Sequence, residues 1–234
     1  MSAEFSLTTF NSEGKLKQIE NALKAVANGE TCVGVRYAQG VVLVAEKNLK
    51  STLVDERSMR KLQPLADHIG AGYAGLSGDF RVLAQKARKE GVAVELTLEE
   101  PVLVAALART LARIFQEFTQ SGGVRSFGIS LLLAGVDADG PQLFQIDPSG
   151  VYLEWKAAAV GKGAAGAKAV LEKRFKEGLD RDDAINIALL ALKDAFEGTM
   201  SSRNVEIGFV AAGERVFRSL GPKEVSDCLG FIAE

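Results

Sequence analysis

Apolar positions along the chain follow two spacings that alternate in blocks. Ile19, Leu23 and Val26 fall at i, i+4 and i+7, with Lys17, Glu20 and Lys24 on other faces. That spacing predicts a helix over 17–28, stopped by Asn28-Gly29. Phe80, Leu83, Ala84 and Ala87 mark a second helix over 79–89, with Ser77 as N-cap. Val104, Leu107, Leu111, Ile114 and Phe118 mark a third, opened by Pro101 and ended by Gly122-Gly123. An Ala-rich helix is predicted over 164–175. Another follows over 180–196, burying Ile185, Leu189, Leu192 and Phe196 and opened by acidic residues. A short helix starts at Pro222.

Between the helices the spacing shortens. β-forming runs lie at 31–37 and 41–45, joined by the hairpin turn Ala38-Gln39-Gly40. The second run is almost continuously apolar, which predicts burial on both faces. A polar stretch over 46–60 leads directly to a strand at 68–74. Further strands are predicted at 127–134, 142–146, 151–155, 156–160, 205–210 and 215–218, with Asp147-Pro148-Ser149-Gly150 as a turn. An extended piece over 5–10 precedes the turn Asn11-Ser12-Glu13-Gly14. Strands come in hairpins and helices in pairs. This is not the βαβ alternation of a parallel fold. It predicts an α+β fold of antiparallel sheets stacked face to face with helix pairs outside. No linker or repeat divides the chain, so 1–234 reads as one domain, with 1–29 as tail and first helix.

Composition mainly removes options. The chain has 234 residues, 28 Lys+Arg against 30 Asp+Glu, one His and two Cys. A chain of this length buries a core without disulfides or metals. A single His leaves no multi-His metal centre, and Cys32 and Cys228 form no CxxC motif. The absence of a Cys framework points to a reducing compartment. Near-zero net charge offers no footprint for nucleic acid or membrane. Met1-Ser2-Ala3-Glu4-Phe5 lacks the basic start and apolar run of a signal peptide.

Conventional chemistry finds little support. Gly161, Gly163 and Gly166 match the letters of GxGxxG, but no acidic ribose partner follows, and a packed strand-to-helix turn is the plainer reading. No phosphate loop or GxSxG elbow is present. A triad would have to use His68, more simply read as a surface or satisfied core histidine. Asp137 and Asp139 could pair as carboxylates, though in a hairpin turn they are expected to be solvated. Asp55-Glu56-Arg57 with Arg60-Lys61 reads as a solvated charge cluster.

Three longer blocks are more specific. They are Phe5-Ser6-Leu7-Thr8-Thr9-Phe10 with Gly14-Lys15-Leu16-Lys17-Gln18-Ile19-Glu20, Thr119-Gln120-Ser121-Gly122-Gly123-Val124-Arg125, and Leu143-Phe144-Gln145-Ile146-Asp147-Pro148-Ser149-Gly150 with Trp155-Lys156-Ala157. In this order they resemble the signatures of eukaryotic proteasome α-type subunits, over nearly the whole chain.

The resemblance implies a four-layer αββα sandwich of the N-terminal-nucleophile hydrolase type. The catalytic β-type relatives use a freed N-terminal Thr whose amine and hydroxyl cooperate. The same resemblance aligns Gly40 with their hairpin glycine and puts Glu30 in the nucleophile slot. Thr31 is one place off, behind a helix, while Glu46 and Lys61 fall near the supporting acidic and basic positions. The implied chain is catalytically silent, with no catalytic residue, cofactor or metal. Its implied role is architectural, in ubiquitin-dependent protein degradation in cytoplasm and nucleus. It would join other α subunits in a heptameric ring stacked on β-type subunits, and would receive C-terminal tails of a regulatory particle or other activator. Lys61, in Ser58-Met59-Arg60-Lys61-Leu62, matches the activator-pocket lysine. Ser121, Gly122, Gly123 and Val124 would line the pore constriction. Ala3, Glu4 and Phe5 belong to the gating tail, and Gln18, Ile19 and Glu20 to a helix shared between neighbours.

The chain also departs from the family pattern. Ala3-Glu4 stand where the family carries Tyr and then Asp or Ser. Ser12 and Ser126 replace prolines, and Asn21 replaces a tyrosine. These residues normally build the cluster that holds an open gate, so their loss bears on this subunit's part in gate opening; the tail is also very short and is expected to contribute little to occluding the pore. Two rival readings follow from the same residues: an active hydrolase processed before Thr31, and a homo-oligomeric ring without a protease partner.

Overall fold

A computed structural model describes residues 8–48, 51, 53–196 and 198–233. In chain order the elements are α1 (Lys17–Ala27), β1 (Cys32–Tyr37), β2 (Gly40–Glu46), a 3₁₀ turn (Glu56–Ser58), β3 (Leu62–Ala66), β4 (Ile69–Gly75), α2 (Ser77–Leu98), α3 (Val104–Gln120), β5 (Ile129–Asp137), β6 (Gly140–Ile146), β7 (Tyr152–Glu154), β8 (Ala157–Val160), α4 (Ala164–Arg174), α5 (Arg181–Asp194), β9 (Val205–Ala211), β10 (Arg218–Ser219) and α6 (Pro222–Ala233). The strands form two five-stranded sheets in the orders β10-β9-β2-β1-β8 and β3-β4-β5-β6-β7. Every pairing within them is antiparallel.

Side-chain alternation builds four layers. On β2, Val42 and Val44 pack with Ala188, Leu189 and Leu192 of α5. The alternate residues Val41, Leu43 and Ala45 meet Leu132, Ala134 and Leu143 of the other sheet. On β5, Leu131 and Leu133 pack with Leu107, Leu111 and Phe115 of α3. Both central strands therefore serve two cores at once, which explains their unbroken apolar runs. Stacked sheets with helices outside both is the αββα sandwich that the resemblance implied. The helix α1 stands apart, set against β4 and β5 at one end of the sandwich. Its Val26 reaches the inter-sheet core.

Several elements differ from the sequence expectation. β3 was not expected at all, because Pro64 interrupts its short run. It is an edge strand, where a missing N–H is harmless. α2 continues to Leu98, well past 89. Ser77 is its first residue, and the N-cap Leu76 makes no side-chain cap. Pro101 does not open α3, which begins at Val104. Its first N–H donates to Asp137 Oδ2 at 2.8 Å. Asp137 is thus a buried cap, 8% exposed, and not a solvated carboxylate. The last strand is only Arg218–Ser219, because 212–217 is spent on a turn that sends Phe217 into the inter-sheet core.

Candidate functional site

The start of β1, with which the resemblance aligns the nucleophile of the catalytic relatives, lies at the α1 end of the sandwich. α1 runs into Gly29-Glu30-Thr31 and then β1. The antiparallel register sets Cys32 opposite Ala45, so Thr31 and Glu46 are neighbours. Glu46 N–H donates to the Thr31 carbonyl at 2.9 Å, and Thr31 N–H donates to Glu46 Oε2 at 3.3 Å. Glu46 is also paired with Lys162, Nζ to Oε1 2.9 Å. The Thr31 hydroxyl is fully buried and accepts from Gly163 N–H at 3.1 Å. It is neither exposed nor next to a free amine.

Close backbone packing fixes this segment. A Cβ on Gly29 would come within 2.1 Å of Gly75 N. Gly161 has φ +109, and a Cβ there would meet the Glu30 carbonyl at 2.8 Å. Both positions therefore need glycine. Gly163 and Gly166 similarly abut Ala195 and Asp194. The GxGxxG letters thus encode a packed turn from β8 into α4, and no dinucleotide fingerprint.

Lys61 enters the same place from the residue before β3. Its backbone N–H donates to Glu206 Oε2 at 2.8 Å, which ties the segment to β9. Its side chain is 1% exposed, so Lys61 does not belong to a solvated charge cluster. Nζ stands 4.0 Å from the centre of the Tyr73 ring and 4.0 Å from Glu30 Oε2. It makes no hydrogen bond among the described residues. Burial pulls its pKa down, and nearby Cys32, Glu30, Glu46 and Glu206 oppose that pull. Burial likewise pushes the Cys32 thiol up to about 12, so Cys32 is a neutral, unreactive core residue. Glu206 is also raised by burial, against the Lys61 and Leu62 N–H groups. A buried basic side chain, Lys61, and a buried acidic one, Glu46, thus lie near the start of β1, with the partly exposed Glu30 at 4.0 Å from the Lys61 ammonium.

The second loop of interest follows α3. Ser121 Oγ donates back to the Glu117 carbonyl at 2.9 Å, and Gly122-Gly123 turn the chain. Ser121, Gly122, Gly123 and Val124 are all exposed, Val124 by 39%. Sequence reasoning missed what anchors them. Arg125 Nη1 and Nη2 donate to the two oxygens of Asp79 at 2.6 and 2.7 Å. Asp79 Oδ2 also accepts from Gly128 N–H at 2.9 Å. Burial would push the Asp79 carboxyl up, but Arg125 and Gly128 together hold it below its ordinary value. The only signal in the sequence was an acidic residue at a helix start, which is uninformative without the fold.

Gln18, Ile19 and Glu20 are half-buried on α1, and Leu23 is 43% exposed. Ala3, Glu4 and Phe5 lie outside the described residues. Asn21 and Ser12 are exposed, while Ser126 is buried. His68 sits at the far end of β3, in a cavity of about 740 Å³ with Arg88, Glu95 and Val102. Its Nε2 is 2.8 Å from the Val102 carbonyl, a satisfied core histidine. Among the described residues no cluster of His, Cys, Asp and Glu could hold a metal, and no helix is long and apolar enough to cross a membrane.

Two antiparallel sheets between helix layers, with a buried Lys and Glu beside the first strand's start, define a sandwich of the N-terminal-nucleophile hydrolase type. The chain belongs to the proteasome subunit family, which matches residues 26–210. The N-terminal signature of proteasome α-type subunits matches residues 4–25, so the chain is of the α type. It is 53% identical over 225 residues to the alpha type-2-A proteasome subunit of Arabidopsis thaliana, covering 96% of this chain and 95% of that one. It is 51% identical over 225 residues to the alpha type-2 proteasome subunit of Oryza sativa subsp. japonica, at 96% and 95% coverage. It is 46% identical over 228 residues to the alpha type-2 proteasome subunit of Drosophila melanogaster, at 97% coverage of both chains.

Proposed function

We propose that the chain, acting as a single domain over 1–234, is a non-catalytic subunit of the outer α ring of a proteasome core particle. In this reading it contributes to ring assembly, the pore that admits substrates and activator docking in ubiquitin-dependent protein degradation. Cytoplasm and nucleus would be its compartments. The observation that carries the reading is the occupant of the nucleophile slot. Glu30 offers a carboxylate where the catalytic relatives need a hydroxyl on a free N-terminus, and α1 is packed ahead of it. Thr31 cannot substitute, because its hydroxyl is buried and accepts a hydrogen bond from Gly163.

Three features support the partners named for this role. The half-buried Gln18, Ile19 and Glu20 and the exposed Leu23 give α1 an edge for a neighbour in the α ring. The loop of Ser121, Gly122, Gly123 and Val124 is exposed and low in bulk, which suits a pore constriction. The Lys61 ammonium lacks an acceptor, which suits a pocket for an activator's C-terminal carboxylate. β-type subunits would form the stacked ring.

Native mass spectrometry of particles purified through a tag on this chain tests the reading. The expected result is the chain with its α1 segment intact, together with β-type subunits and unlabelled by a threonine-directed electrophile. A chain starting at Thr31 that carries the electrophile would overturn it in favour of a hydrolase. Rings without β-type subunits would overturn it in favour of a separate ring protein.

A further inference from the structure

Three carboxylates lie near the Lys61 ammonium, and two of them are already engaged. Glu206 accepts from the Lys61 N–H at 2.8 Å. Glu46 pairs with Lys162 at 2.9 Å and accepts from Thr31 N–H. Glu30 alone faces Nζ without a hydrogen bond of its own among the described residues, at 4.0 Å. Its side chain is 23% exposed over an ammonium that is 1% exposed, so Glu30 forms the wet side of the site.

We propose that Glu30 is a built-in competitor for Lys61, covering the ammonium and holding the place that an incoming C-terminal carboxylate would take. The proposal rests on the reading of Lys61 as the docking residue. It assigns to Glu30 the control of access.

Geometry supports a competitor, as opposed to a permanent ion pair. A charge-assisted N–H···O bond closes to about 2.7–2.9 Å, and the Glu30–Lys61 separation of 4.0 Å falls well short of that. All three Lys61 donors therefore remain available to a ligand that reaches closer. The Glu30 backbone cannot yield, because Gly29 is pressed on Gly75 and Gly161 on the Glu30 carbonyl. Lys162 N–H also donates to the Gly29 carbonyl at 2.8 Å. Only the Glu30 side chain is free to move, and it has solvent to move into. Rotating it outward exposes Nζ and hydrates the displaced carboxylate. While it stays inward, a second carboxylate meets both a steric block and like-charge repulsion.

The test compares core particles carrying the wild-type chain, Glu30→Ala, Glu30→Gln or Lys61→Ala. The first readout is acetylation of Lys61 by N-hydroxysuccinimidyl acetate, followed by peptide mass spectrometry. Lys61 should be protected in the wild type and labelled severalfold faster in Glu30→Ala. Equal protection in both would show that Glu30 is not the cover. The second readout is fluorescence anisotropy with the fluorescein-labelled hexapeptide Gly-Ser-Gly-Ala-Leu-Ala, as free acid and as C-terminal amide. Glu30→Gln should bind the free acid about fivefold tighter than wild type, the scale of one partly screened carboxylate contact, with the amide unchanged. Lys61→Ala should remove the preference for the acid. A Lys61-dependent preference that Glu30→Gln leaves unchanged would overturn the competitor and keep the docking site. Acid and amide binding alike in every variant would overturn the docking site itself.

Discussion

A lysine ammonium buried without an acceptor is expensive at the scale of single residues, because desolvation is not returned as hydrogen bonding. Lys61 is such a group among the described residues: Nζ has a ring face and nearby carboxylates but no hydrogen bond. Glu30 is partly exposed, so it can turn to water if its partner is removed. Lys61→Met should therefore stabilise the chain by about 1–3 kcal/mol in urea denaturation. A destabilised variant would mean that the ion pair is worth more than its burial costs. Asp79 behaves in the opposite way. Its folded carboxyl titrates below the ordinary 3.8, so its stabilisation is fully present above that value and is lost as pH falls through the folded one. Wild type should lose its stability advantage over Asp79→Asn in the acid range below pH 3.8, measured as denaturation midpoints against pH. A difference independent of pH would exclude the Arg125 tie as its source.

Elements show which local rules tertiary contacts override. α3 has no capping residue of its own, and Asp137 at the end of β5 supplies the acceptor across 33 positions of sequence. Asp137 Oδ1 also accepts from Gln142 Nε2 at 3.0 Å, so one side chain ties a helix to a hairpin. Asp137→Ala should cost about 1–2 kcal/mol, with hydrogen exchange accelerated first at the N-terminus of α3. Loss spread evenly over the chain would contradict a local cap. The same logic explains the expectations that failed. A proline inside β3 and a helix continuing through Gly91 both look like breaks in a sequence. Pro64 lies on an edge strand, and α2 runs through Gly91, where a Cβ would make only an ordinary 3.6 Å contact with Val102 Cγ1.

At the scale of the whole molecule, two cores share each central strand, and Lys61, Glu30 and Glu46 gather where α1 closes one end. On the proposed reading, Ala3, Glu4 and Ser12 ahead of α1 replace the aromatic and proline residues that would hold a gate in an assembled particle. Deleting residues 1–4 should leave peptide hydrolysis without activator nearly unchanged. A large activation would assign this tail a closing role.

The sequence by itself determined most helices and strands, though not β3 or the full length of α2, and the antiparallel αββα class and the family, because hydrophobic spacing and long collinear motifs are local properties of a chain. The resemblance read from it also aligns Glu30 with the nucleophile position of the catalytic relatives. Only the tertiary structure decided that Asp137 is a cap and that Asp79 anchors the loop after α3. The burial of Lys61 beneath Glu30 was likewise decided there. Those facts depend on which side chains distant segments bring within reach, and on how much water remains between them. A pattern along the chain does not carry that information.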